Sequence, residues 1–234
     1  SGTIATHGTL QLSQAMVNPS NAAITASTLL TDVRNTGALT TPLFASGDTL
    51  TLSPTKGGRT AETKSMTVSA ATTVQDWMNF MTEAIGLQSS GVPTDADGIA
   101  VGATVTAGGQ IQIKGNRGTV NDFELPVGSM QVNGAPLAVA FNRQGTAADG
   151  ESTVTAFTVY DSLGTALTVR MSAVLESQNS ATTTYRYFLE CPDQPGASII
   201  LGNSTVSFDT QGQVTDQPNN QFSISRAVWP RSTR

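Results

Sequence analysis

Apolar positions along this chain repeat every second residue in most places and at helical spacing in one. Thr9-Leu10-Gln11-Leu12 alternates and Asn18-Pro19-Ser20 marks a turn, so the opening stretch reads as extended. Leu29, Leu30 and Val33 share one face of a short helix expected over 28–34, with Ser27 as cap and Gly37 close to its end. Thr49-Leu50-Thr51-Leu52 and Ser65-Met66-Thr67-Val68 alternate as strands joined through a polar Lys56-Gly57-Gly58-Arg59 turn. From Val74 the period changes, and Val74, Trp77, Met78, Met81 and Ile85 fall on one face of a helix. Thr73 is placed to cap it, Asp76 to complete a capping box, and Gly86 to end it in a left-handed turn. The Trp and Met stripe suits packing on a sheet better than holding a ligand.

A loose loop, Ser89-Ser90-Gly91-Val92-Pro93-Thr94, follows. Val101 to Val105 and Gln110 to Ile113 then alternate around Gly108-Gly109, the signal of a hairpin whose turn needs positive φ. Phe123-Glu124-Leu125 adds a short strand. From Ser129 the pattern is all β, with strands expected at Leu137 to Phe141 and Thr153 to Tyr160. Leu167, Val169, Met171, Ala173 and Leu175 oppose Thr168, Arg170 and Ser172. Thr183, Tyr185, Tyr187 and Leu189 oppose Thr184, Arg186 and Glu190, although Phe188 spoils the second face. Val206 and Phe208, then Phe222 and Ile224, continue the pattern, which predicts sheets with one face buried and one wet.

The expected fold is mainly β: an antiparallel β domain, sandwich or barrel-like, with an inserted small α+β domain containing one amphipathic helix. The expected divisions are an opening segment and short helix over 1–37, the inserted α+β domain over 38–128, the all-β domain over 129–226, and a tail, 227–234, for which disorder is an open alternative. The pattern does not decide whether the opening segment joins the inserted unit or the all-β unit.

Composition narrows the function. Charged residues make up 12% of the chain, against about a quarter in an average protein, and the 22 glycines suit many turns. The net charge is −5 with no run of Lys or Arg, which argues against nucleic acid, since clustered cations are needed to displace counterions from phosphates. No apolar run approaches the roughly 20 residues of a membrane-spanning helix, and no basic-then-apolar signal opens the chain. Export of such a chain requires a dedicated route or a start since removed.

Candidate chemistry is sparse. His7 is the lone histidine, in a polar terminal stretch, and supports neither a Ser-His-Asp triad nor a His-rich metal site. Lys56-Gly57-Gly58-Arg59 lacks phosphate-loop spacing. Asp95-Ala96-Asp97-Gly98 is part of a calcium loop without its third acid or distal Glu. Asn203-Ser204-Thr205 fits a glycosylation sequon. Cys191 is the only cysteine, so no disulfide forms within the chain, and its plain reading is a small semi-buried side chain at a strand end. No catalytic, cofactor-binding or metal-binding residue is assigned, and no cofactor.

Two turns share one chemistry. In Tyr160-Asp161-Ser162-Leu163-Gly164 the Asp accepts from the backbone two residues on, and the Gly takes a left-handed conformation. Phe208-Asp209-Thr210-Gln211-Gly212 repeats the arrangement. Val159-Tyr160-Asp161-Ser162-Leu163-Gly164 resembles the central β domain of the flagellar hook protein, and Thr205-Val206-Ser207-Phe208-Asp209-Thr210-Gln211-Gly212-Gln213-Val214 its second signature. Gly47-Asp48-Thr49-Leu50, Thr73-Val74-Gln75-Asp76 and the Gly108-Gly109 hairpin are similar to insertion units of long hook proteins and flagellins. The resemblance covers about Leu29 to Ile224.

It implies a structural subunit, not an enzyme, in an extracellular curved tube of the bacterial flagellum that transmits torque from motor to filament. Its partners would be other copies of itself, with neither nucleic acid nor membrane, and the chain alone would be monomeric. Hook-family subunits carry apolar helices at both ends; no heptad pattern marks either end here, as expected of an excised fragment or of a relative that assembles otherwise. Some hook proteins are cross-linked between a cysteine and a lysine of adjacent subunits, and Cys191 is the one residue able to take that part. The alternatives are a surface adhesin or carbohydrate-binding β module, which requires exposed aromatics such as Tyr185, Tyr187 or the two Trp, a hydrolase of unfamiliar site, and a distal-rod or hook-cap relative.

Overall fold

Alternation dominates the sequence, and antiparallel strands dominate the computed structural model, which describes residues 2–161, 163–218 and 221–224. In chain order the main strands are β1 (Gly8–Ser13), β2 (Thr49–Leu52) and β3 (Lys64–Thr67), then helix α1 (Val74–Ile85), then β4 (Gly102–Val105), β5 (Ile111–Arg117), β6 (Met130–Val132) and β7 (Phe141–Gln144). The last run is β8 (Ser152–Tyr160), β9 (Ala166–Gln178), β10 (Thr182–Glu190), β11 (Ile200–Asp209) and β12 (Val214–Asp216). The expected tail, 227–234, lies outside the described residues.

α1 forms where the period changes. Thr73 Oγ1 accepts from the Asp76 backbone at 3.3 Å while the Asp76 carboxylate accepts from the Thr73 N–H at 2.8 Å, completing the capping box. Gly86 ends the helix at φ 75°, a conformation glycine adopts without strain. Trp77, Met78, Met81 and Ile85 are buried in one cluster with Leu50, Leu52, Ile111, Ile113 and Phe123. Phe44 meets the Trp77 ring edge-on at 5.3 Å.

Two four-stranded sheets surround that cluster, in the orders β7-β1-β5-β4 and Ala135–Pro136-β6-β2-β3. The opening segment therefore joins both parts of the chain: β1 pairs with β5 on one side, through Gln11↔Ile113, and with β7 on the other, through Gln11↔Arg143. β6 likewise pairs with β2, through Gln131↔Thr51. A small hairpin, Thr55–Lys56 with Arg59–Thr60, takes Phe123–Glu124 as its third strand.

The fifth sheet is a single antiparallel layer, β8-β9-β10-β11-β12, with two edges and no closure into a barrel. Its faces depart from the expected wet and dry division. The mixed face, with Ser172, Val174, Phe188 and Glu190, is buried, and the first half of the chain covers it through contacts described below. On the apolar face, Val169, Tyr187 and Leu189 are covered by Phe222 and Ile224. A Cβ on Gly202 would lie 2.8 Å from the Phe222 ring, so the missing side chain makes its seat.

Two expected elements change form. Over 28–34 only a 3-10 turn, Leu30–Asp32, forms: Leu29 is extended at ψ 138°, and the Leu30 N–H donates to Thr72 O at 2.7 Å rather than within a helix. The strand expected at Leu137 to Phe141 begins only at Phe141, where pairing with Ser13 becomes available.

Candidate functional site

The two Asp-Gly turns share one geometry. Asp161 Oδ1 accepts from the N–H of Leu163 at 2.9 Å and of Thr165 at 2.7 Å. Asp209 Oδ1 accepts from Gln211 at 2.9 Å and Gln213 at 2.8 Å. Gly164 and Gly212 both stand at φ 78°, with open space around them, so conformation rather than crowding requires glycine. The corners join β8 to β9 and β11 to β12. Tyr160 is 71% and Leu163 87% exposed, whereas Phe208 is half-buried edge-on to Tyr185. Ser162 lies outside the described residues.

A second constellation, which the sequence did not single out, joins the five-stranded sheet to the rest. Lys56 Nζ pairs with Glu190 and donates to the carbonyls of Ile85 at 3.1 Å and Gly86 at 3.2 Å. The ammonium thus caps the negative end of α1 while neutralising a buried carboxylate. Lys64 Nζ donates to Pro192 O at 2.8 Å and Gln194 O at 2.9 Å. Ser172 Oγ reaches Asn121 Oδ1 at 3.2 Å, and Gln88 Nε2 reaches Leu189 O at 3.3 Å. A cavity of about 30 Å³ opens among Lys56, Asn121, Arg170, Ser172 and Glu190. One small apolar cluster, Ala5, Val174 and Phe188 with Val92 against it, completes the seam. No periodicity announces such contacts: Lys56 reads as turn and Glu190 as the polar side of a strand.

The other candidates fall into structural roles. Asp95 and Asp97 receive cations from the chain itself: Lys114 Nζ lies 2.6 Å from Asp95 and 2.7 Å from Asp97, and Arg117 Nε 2.6 Å from Asp95. Burial works to raise the Asp97 carboxyl, but Lys114 and the Ile99 N–H outweigh it and hold it below the usual range. Asn203 Nδ2 donates to Ser90 O at 3.1 Å, so the sequon amide is engaged in the seam. His7 Nδ1 lies 2.9 Å from Asp149, whose carboxylate also takes the backbone N–H groups of Thr6 and His7 at 2.7 Å each. Burial opposes ionisation of Asp149, but these bonds hold it well below the ordinary carboxyl range. Asp122 is likewise lowered, burial being outweighed by Arg143 and Thr9.

Cys191 is fully buried, and burial pushes its thiol up. Burial and the upward shift together make Cys191 a weaker nucleophile than an exposed thiol. The aromatics that a glycan-binding face needs are mostly committed elsewhere: Trp77 and Tyr187 are buried, and Tyr185 is half-buried. Trp229 lies outside the described residues.

No curated protein and no solved structure matches the chain significantly. Residues 131–232 match the family described as flagellar basal body protein FlaE D2 domain. The matched span starts inside β6 and takes in the whole five-stranded sheet with both Asx corners. Over these residues the chain is similar to that family, and the match supports a flagellar hook protein domain there.

Proposed function

We propose that this chain is the outer, β-rich part of a flagellar hook subunit, placed outside the cell and passing torque from motor to filament by contacts with copies of itself. The observation that carries the reading is the family match over the sheet that holds both Asp-Gly corners. The corners, Tyr160 to Gly164 and Phe208 to Gly212, would act as shape-holding signatures rather than as a reactive site. Neither catalysis nor nucleic acid nor membrane contact enters this role. The first half of the chain, with α1, would sit as an inserted unit against the family domain.

Thr-rich faces suit sliding contacts, because many weak, wet interactions can be broken and remade without a large barrier. The chain alone is then expected to be monomeric at micromolar concentration, with a sedimentation mass that does not change with dilution. Antibodies raised against the chain should label the hook segment on intact flagellated cells of the source organism, seen by electron microscopy. Label confined to the filament, or visible only after the cells are opened, would refute the placement.

A further inference from the structure

We propose that the cavity in the seam is a binding site for a small oxyanion, a free phosphate or carboxylate, held between Arg59 and Arg170. The inference goes beyond the hook reading and does not depend on it, since it rests on charges that the chain leaves unmatched.

Among the described residues, Arg59 and Arg170 are the only Lys or Arg side chains without a partner in the chain. Arg34 and Lys64 donate to backbone carbonyls, and every other one meets a carboxylate. Both unmatched arginines line the same cavity of about 30 Å³, one from the Arg59–Thr60 hairpin strand and one from β9. Arg170 stands opposite Glu190 in the β9–β10 register, but that carboxylate is taken by Lys56. Arg59 stands opposite Lys56 in the hairpin, so its cross-strand neighbour is a cation. Like charges so placed cost stability unless an anion joins them.

The lining carries Lys56, Arg59 and Arg170 against Glu62 and Glu190, and is thus positive in a chain of net charge −5. Glu62 is exposed on the rim, and Glu190 is already neutralised. A void of this volume takes about two waters, the room that two oxygens of an oxyanion need. Guanidinium groups present paired N–H donors matched to phosphate and carboxylate. Arg59 belongs to the first half of the chain and Arg170 to the five-stranded sheet, so a bound anion bridges the seam and holds it closed.

Inorganic phosphate titrated into the whole chain, followed by amide spectroscopy, tests the site. Signals around Arg59, Arg170 and Ser172 should shift with a Kd of about 1 mM, and the thermal midpoint should rise. Sodium chloride at matched ionic strength should do neither. Acetate run in parallel distinguishes the two anion classes, the tighter one naming the ligand. Arg59→Gln and Arg170→Gln should each weaken binding about tenfold, as loss of a charged hydrogen bond does. Glu62→Gln should tighten it, because the rim acid is removed. If Arg170→Gln does not fold, the exposed Arg59 carries the test. Shifts that chloride reproduces, shifts away from the cavity, or binding indifferent to both arginine variants would overturn the proposal. Self-association lost in those variants, with no free anion bound, would also overturn it and hand the arginines to an acidic surface of another copy.

Discussion

Gly164 and Gly109 both hold positive φ, at 78° and 74°, yet they should answer differently to the same substitution. Around Gly164 nothing lies within 4 Å of an added Cβ, so Gly164→Ala meets only the left-handed strain of about 1 kcal/mol. At Gly109 the same Cβ would stand 2.3 Å from Met16 O, a backbone atom, and the hairpin must shift as well. Urea denaturation should show a small loss for Gly164→Ala and a several-fold larger one for Gly109→Ala. The carboxyls of Asp149, Asp122 and Asp97 supply a pH dependence. Their folded pKa values lie below the ordinary 3.8, so the unfolded chain binds more protons in acid. The stability they contribute is fully present above pH 4 or so and is lost as pH falls through the folded values. Urea midpoints should decline below that pH, and Asp149→Asn should make the decline shallower. The turn aspartates were legible because their bonds reach only four residues along the chain. The carboxylate of Asp95 was not, since Lys114 and Arg117 come to it from a strand about twenty residues on.

Among the elements, α1 was the most legible, as its cap, stripe and stop are all local. Thr73→Ala removes the side-chain half of the capping box and should cost about 1 kcal/mol. A calorimetric midpoint lowered by a few degrees would agree with that, whereas an unchanged midpoint would show the box to be ornamental. The short helix expected over 28–34 failed for a tertiary reason: Leu30 spends its N–H on Thr72 instead of on a helical turn. Strand existence was readable from alternation, whereas strand partners were not. Nothing in Gln11 or Gln131 forecasts that β1 would pair with the strand of Ile113 and β6 with that of Thr51, both far away along the chain. The same alternation also hid which face would be covered, since Ser172 and Glu190 look solvent-bound until Asn121 and Lys56 arrive.

For the whole molecule, the Lys56–Glu190 pair is the contact that ties helix end, hairpin and sheet together. Lys56→Met leaves Glu190 buried without its cation, a change that typically costs about 3–5 kcal/mol. Replacing both, Lys56→Met with Glu190→Leu, should recover much of that loss, because two apolar groups leave no charge stranded. Unfolding of the two variants in urea decides it, and equal losses would show that the pair acts through its bonds to Ile85 and Gly86 alone. The seam has one further consequence. Prising it apart bares ammonium, carboxylate and amide groups that water readily accepts, beside one small apolar cluster of Ala5, Val174 and Phe188. Such a joint would be able to yield and close again without growing sticky.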